Sequence, residues 1–197
     1  MDKPFSQAAE NNKGPILQVL QQAFAEQSSV LEIGSGTGQH AEFMARALPR
    51  LRWQPSELPA SLEILGLGLR EAALANLLPP IALDVCHADW KLQGVDAVFT
   101  ANTLHIMPWS AVPCLFEGAG RLLGRGGRLC VYGPFRYHGD FTTRSNADFD
   151  RWLKSQGAHQ GIRDFEAVNE LATGQGLRLL EDRDMPANNQ LLTWEKS

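Results

Sequence analysis

The 197-residue chain is short of several features that would assign it to a class at once. It has three cysteines, Cys86, Cys114 and Cys130, an odd number with no C-x-x-C pair. Neither a zinc site nor a disulfide framework is therefore expected. No apolar run reaches the roughly 18 residues that span a bilayer. The opening Met1-Asp2-Lys3-Pro4-Phe5-Ser6-Gln7 lacks the apolar stretch of a secretion signal. A cytoplasmic location with no membrane partner is the expectation. Basic residues are in deficit, 18 Lys and Arg against 22 Asp and Glu, for a formal net charge of −4. That balance argues against a nucleic-acid partner. Arg121, Arg125 and Arg128 gather around one turn and read as a solvated helix end. Repeats, low-complexity stretches and Pro/Gly/Ser-rich linkers are absent, so residues 1–197 read as one domain.

What is present is an alternation of short apolar runs with helix-period segments. Residues 1–28 form a polar start and a first helix. Gly14-Pro15 reads as its start signal, and Ile16, Leu17, Leu20 and Phe24 follow at helical spacing. Buried strands are predicted at 29–33, 51–55, 80–83, 95–99 and 128–132. Helices are predicted near 41–48, 60–77 and 109–123, the second weakened by Gly66 and Gly68. Periodicity is lost over 133–163, a stretch containing Tyr137, His138, Phe141, Asn146, Phe149 and Trp152, which reads as a substrate lid, as a surface helix with a satellite core, or as both. A helix over 165–173 and strands at 177–181 and 191–194 close the chain. The whole is a Rossmann-like α/β pattern, a mainly parallel sheet with helices on both faces. The last two strands have no helix between them and should pair as an antiparallel edge hairpin.

The first strand ends in Glu32-Ile33-Gly34-Ser35-Gly36-Thr37-Gly38. In open α/β sheets ligands bind beyond the carboxyl ends of the strands. Glycines there allow a tight strand-to-helix turn and remove the Cβ atoms that would block a nucleotide-like ligand. Charge then distinguishes the ligands. A dinucleotide sets its pyrophosphate on the following helix N-terminus, whereas S-adenosylmethionine brings an ammonium and a sulfonium. Glu32 attracts an ammonium and repels a pyrophosphate. The spacing from Gly36 to Ala41 nonetheless satisfies the G-x-G-x-x-A dinucleotide form, so an NAD-dependent oxidoreductase stays open. Glu57, after the second strand, suits two ribose hydroxyls in either cofactor. Asp84, after the third, suits an adenine amino group with Val85 supplying a backbone donor, or else serves only its own turn.

From Glu32 to Gly38 the chain resembles the first motif of class I S-adenosylmethionine-dependent methyltransferases. More of it is similar to one uncharacterised branch, the methyltransferase-like 26 family. The matching blocks are Phe5 to Leu17, the glycine turn with Gln39-His40, Trp53 to Glu57, Asn102 to Trp109, Tyr132 to Phe135, Gly161 to Val168 and Asp184 to Asn189. The resemblance implies a seven-stranded sheet, with S-adenosylmethionine bound through Glu32, Gly34, Gly36, Glu57 and Asp84. It implies no substrate. Glu57 stands where aspartate is frequent, and Gly34 where alanine is expected in part of the branch.

Methyl transfer is an in-line displacement, so the protein must align the nucleophile and exclude water. A base is needed only if the nucleophile arrives protonated. Beyond the fourth strand lie Asn102, a candidate for donor or substrate, and His105, a candidate base or a packed helix-start residue. Tyr132, at the end of the fifth strand, is a candidate to orient substrate or is simply packing. Ser35 and Gly38 complete the turn. In the first segment Asn11 or Lys13 is a candidate for the donor's carboxylate, and Asn12 for a helix cap. Asn188-Asn189, in the closing hairpin's loop, reads as a turn. His138 and Asp140 lack near partners, so no metal is expected. The reading is a methyltransferase of a small molecule; the rivals are the oxidoreductase and a non-catalytic S-adenosylmethionine-binding regulator.

Overall fold

The computed structural model describes residues 3–197; Met1 and Asp2, the first two residues read above for a secretion signal, lie outside them. Its main sheet has seven strands in the order β3-β2-β1-β4-β5-β10-β9. These are β1 (Ser29–Ile33), β2 (Arg52–Glu57), β3 (Ile81–Ala82), β4 (Ala97–Ala101), β5 (Arg128–Gly133), β9 (Leu177–Met185) and β10 (Asn189–Lys196). The first five are parallel, while β10 runs antiparallel to both β5 and β9. The closing pair forms the hairpin expected from the absence of a helix between them. Because β1 is flanked by β2 on one side and β4 on the other, the strand order reverses beside it. The glycine turn therefore opens into the crevice where α/β sheets take ligands.

Alternate residues of each strand face opposite layers. Val30, Phe99 and Tyr132 pack under α1 (Gln7–Ala23) and α2 (Gln39–Ala47), with Ile16, Leu20, Met44 and Trp53. Leu31, Val98 and Leu129 pack on the other face, with Phe116 of α4 (Ala111–Leu122), Val168 of α6 (Phe165–Gly174) and Trp194.

Several expectations need correction. The first helix does not begin at Gly14-Pro15: it begins two turns earlier, where the Ser6 Oγ accepts from the Ala9 N–H at 3.3 Å, and Pro15 lies inside it. An interior proline removes a helix hydrogen bond, but Ala9, Asn12, Ile16 and Val19 share the buried face and hold the helix in place.

The helix expected over 60–77 is shorter, α3 (Leu62–Leu69). Its Gly68 presses on the turn, since a Cβ there would meet the Thr37 carbonyl oxygen at 1.9 Å. The chain then folds back so that Trp53 exchanges backbone hydrogen bonds with Asn76 and Leu78. The Asn76 amide donates to the carbonyls of Ala45, Leu48 and Leu51, closing the end of α2.

Residues 133–163, where the periodicity is lost, hold short strands and a helix. A small sheet β7-β6-β8 (Asp140–Phe141, Phe135–Tyr137, Arg163–Asp164) carries α5 (Arg144–Gln156). Asn146 of α5 donates to the Asn188 carbonyl, which ties this unit to the closing hairpin.

The cysteine expectation is also overturned. Cys86 and Cys114, 28 residues apart in sequence, form a disulfide with a Cα–Cα distance of 5.0 Å. Spacing along the chain does not show this pair; the loop after β3 folds onto α4, where Trp90 packs so closely over Gly118 that a Cβ would meet its ring at 1.9 Å. Cys130 is buried and free, as a small apolar core residue. Among the described residues no helix is long and apolar enough to cross a membrane.

Candidate functional site

Each glycine of the turn has its own reason. A Cβ at Gly38 would strike Leu69 at 2.7 Å, and one at Gly34 would strike the Thr103 Oγ1 at 2.8 Å, so both let neighbouring elements close in. Gly36 is different. Its φ is +56°, and a Cβ there would stand in open space on the outer side of the turn, the side free for a ligand. Ser35 is consumed by the scaffold: its backbone N–H donates to the Ser56 carbonyl at 2.9 Å and its Oγ accepts from the Ser56 N–H at 3.2 Å.

Glu32 is 1% exposed. Its Oε2 accepts from the Trp53 indole N–H at 2.6 Å. Among the described residues its Oε1 accepts no hydrogen bond, yet that atom is not among those sealed from solvent without a partner. Burial pushes the carboxyl up to about 7, with the Trp53 hydrogen bond opposing and the nearby Glu57 charge adding to the rise. A cation brought against this group recovers the energy that burial withholds.

Glu57 lies between turn and solvent. Its Oε2 accepts from the Gly36 N–H at 2.9 Å and its Oε1 from the Leu58 N–H at 2.8 Å. Each carboxylate oxygen keeps a lone pair, so the group is held rigid and still free to accept two hydroxyls. Asp84 closes its own turn, its Oδ1 accepting from the Cys86 N–H at 3.0 Å. Its Oδ2 accepts no hydrogen bond, and the Val85 N–H donates to nothing, among the described residues. The turn bond thus leaves one carboxylate oxygen and the neighbouring N–H free at this position.

Asn102 adopts φ 56° at the end of β4, its backbone N–H donating to the Tyr132 carbonyl. His105 is 5% exposed, with its ring edge-on to Phe149 at 5.6 Å and beside Gly133. Neither ring nitrogen has a protein partner, and neither is sealed from solvent, among the described residues. Burial first, then the Arg163 charge, pull its pKa down to about 4. Arg163 braces the same loop by donating to the carbonyls of Leu104 and Met107 at 2.9 and 2.6 Å. Sequence reasoning missed that role, for nothing in the spacing joins residues so far apart.

In the first helix the side chains of Asn11 and Asn12 part company. Asn11 is exposed and accepts from Gln7, whereas Asn12 is buried with its Oδ1 2.6 Å from the His40 Nε2. Tyr132 is 3% exposed, and burial raises the pKa of its hydroxyl above the ordinary value. Lys13 is paired with Glu10. Extending the helix back to Ala9 puts Asn12 at the buried i+3 position, the signal from which it was legible. Trp53 as the partner of Glu32 had no such signal.

The site thus unites Glu32, Gly34, Gly36, Glu57, Asp84, Val85, Asn102, His105 and Tyr132 along the carboxyl ends of the first five strands. Asn11 is turned away and Ser35 is spent internally. The free groups suit a ligand with a cation, neighbouring hydroxyls and a ring that both donates and accepts.

The fold is shared with solved methyltransferase structures. An O-methyltransferase family protein from Burkholderia thailandensis superimposes with a TM-score of 0.83 at 19% identity, covering 96% of this chain and 57% of that one. Human N-acetylserotonin methyltransferase in complex with SAM gives 0.79 at 14%, covering 97% and 53%. An O-methyltransferase family 2 protein from Planctomyces limnophilus, in complex with apigenin, gives 0.73 at 17%, covering 95% and 62%. The chain therefore spans little more than half the length of these structures. The family model described as "Protein of unknown function (DUF938)" matches residues 3–196, and the chain belongs to that family.

Proposed function

We propose that the protein is an S-adenosylmethionine-dependent methyltransferase acting on a small molecule, and that it is related to the methyltransferase-like 26 proteins. The observation that carries this is the buried Glu32 carboxylate with one oxygen left unpartnered beside the open Gly36. When bound, S-adenosylmethionine supplies an electrophilic methyl group on a sulfonium. Glu32 holds the ammonium, Glu57 accepts from the ribose hydroxyls, and Asp84 with the Val85 N–H brackets the adenine edge. Gly34, Gly36 and Gly38 keep the turn close and open. The deficit of basic residues supports a small-molecule substrate over a nucleic acid.

The protein's own contribution to transfer is alignment and dryness. His105 stays neutral at physiological pH because its pKa lies near 4. Its free ring nitrogen accepts from a substrate hydroxyl or amine and orients it. It is a weak base, so a substrate proton leaves late or to water. The Phe149 and Trp152 rings, stacked 5.7 Å apart beside it, present an apolar wall for the substrate. That weak base is also the observation favouring a second reading, binding without catalysis. The dinucleotide reading has no such support, since Glu32 opposes a pyrophosphate.

Two measurements test the proposal. Calorimetry should show S-adenosylhomocysteine binding and no NADH binding; NADH binding alone would sink it. Methyl-label transfer from S-adenosylmethionine across metabolite extracts should yield a labelled small molecule. Donor binding with no labelled product under any extract would leave the non-catalytic reading standing.

A further inference from the structure

Building on the donor-binding reading above, we infer that the Cys86–Cys114 bond is a reversible thiol–disulfide site that sets how tightly the protein holds the adenine end of its methyl donor. The oxidised form binds tightly, and reduction by a thiol weakens the hold. What gives the bond this role is the pair of elements it joins.

Cys86 is part of the turn assigned to adenine. The Asp84 carbonyl accepts from the His87 N–H at 3.0 Å, and the Asp84 Oδ1 accepts from the Cys86 N–H at 3.0 Å, so residues 84–87 close on themselves. The strand end of this turn is fixed. The Leu83 N–H donates to the Glu57 carbonyl at 2.8 Å, and the side chains of Leu83 and Val85 are buried. The other end depends on α4. Cys114 and Gly118 are four residues apart and share one stripe of that helix. Cys114 takes the disulfide, and Gly118 takes the Trp90 ring, whose indole N–H donates to the Val85 carbonyl at 3.1 Å. Past that ring the packing is incomplete, for an open cleft of about 230 Å³ lies between residues 88–92 and α4. Opening the bond therefore leaves the turn attached at its strand end and freer at its helix end. Cys114 also follows the loop of Asn102 and His105, so the bond joins two of the loops that border the crevice.

The exchange needs only a thiol, small or borne on a protein. Its thiolate attacks the sulfur of Cys86, the more exposed of the two residues, and forms a mixed disulfide there. The Cys114 sulfur leaves with the bonding pair and takes a proton. Cys114 is the fourth residue of α4, close to the helix N-terminus, where the dipole favours a thiolate and eases its departure. A second thiol then displaces Cys86 from the mixed disulfide. Two thiols are oxidised to one disulfide, and Cys86 with Cys114 gain the two electrons and two protons. Losing the preset order of about one residue of backbone weakens adenine binding about tenfold. Linkage makes the effect reciprocal, so a bound donor makes the bond harder to reduce by the same factor.

The test is calorimetry of the parent protein, oxidised with glutathione disulfide or reduced with dithiothreitol, using S-adenosylhomocysteine and 5′-methylthioadenosine. The second probe keeps the adenine and lacks the amino-acid head. Reduction should weaken both by the same factor, about tenfold. Cys86→Ser combined with Cys114→Ser should bind like the reduced parent and ignore the reductant. A second measurement is independent of that variant's stability. In glutathione redox buffers, alkylation and mass spectrometry read the oxidised fraction of the parent. Saturating S-adenosylhomocysteine should shift the midpoint about tenfold toward stronger reductant and then level off. Equal binding by both forms, a loss confined to S-adenosylhomocysteine, or a parent that does not form the bond overturns the inference while the donor-binding reading stands. A midpoint that keeps climbing with ligand concentration also overturns it, because reduction then abolishes binding instead of tuning it. If the oxidised parent binds neither probe, the donor-binding reading fails and this one with it.

Discussion

The two walls of the crevice are built differently. The wall from β1 to the loop after β3 carries polar groups whose hydrogen bonds close on the scaffold and leave one valence over. Glu57 is pinned by Gly36 and Leu58, Asp84 by Cys86, and Glu32 by Trp53. The opposite wall, from Tyr132 through α5, presents rings: His105 against Phe149, Phe149 against Trp152, and Trp109 under Arg163. Preset polar groups recognise one chemistry, because each unpaired group penalises the wrong ligand. Rings recognise shape and tolerate variation. On the donor-binding proposal, one wall suits a constant ligand and the other a variable one.

Breaking the first wall at its staple gives the largest expected effect. The Cys86–Cys114 bridge ties the loop bearing Asp84 and Val85 to α4 across 28 residues. Replacing both cysteines by serine should cost about 3.5 kcal/mol in unfolding free energy on the chain-entropy relation. Denaturant titration without reductant measures this; an unchanged midpoint would mean the bridge does not constrain the unfolded chain. Next comes Glu57→Ala, which removes two charge-assisted hydrogen bonds to ligand hydroxyls. S-adenosylhomocysteine should bind on the order of 100-fold more weakly, and unchanged affinity would remove the ribose role.

The third prediction concerns pH. The Glu32 carboxyl sits at about 7 in the folded chain against 4.5 ordinarily. Raising a carboxyl favours its protonated form, so its ionisation weakens the fold progressively as pH climbs from 4.5 to about 7. An ammonium ligand needs the ionised form. Affinity for S-adenosylhomocysteine should therefore rise with pH, by up to about tenfold per unit, and level off above about 7. Glu32→Gln should flatten that profile; a parent protein with no slope would contradict the shift. The smallest effect belongs to the second wall. Trp152 is 54% exposed, and Trp152→Ala should change stability by no more than about 0.5 kcal/mol. Donor affinity should not move, and a loss of S-adenosylhomocysteine binding would show that the walls are not independent.

The first wall was the more legible because its elements are local. A strand, a glycine turn and a helix follow one another within 29–47, and acidic residues at successive strand ends need no tertiary knowledge to be noticed. The second wall was only outlined. Residues 133–163 form strands of two or three residues and an α5 whose partners lie at 105, 162 and 188. No short-range periodicity encodes such contacts. Proline misled at Pro15 because burial of Ala9, Asn12 and Ile16 outweighs a local preference for starting there.

By itself, then, the sequence determined the alternating α/β order, the closing hairpin and the acidic glycine turn, all of which follow from side-chain period and backbone freedom. The tertiary structure alone decided which groups are spent and which are left over. Ser35 and Asn11 lost their place to geometry, and Arg163 acquired one. Cys86 and Cys114 met because a loop folded onto a helix. Hydrogen-bond valence is a property of what surrounds an atom, and those surroundings come from residues distant along the chain.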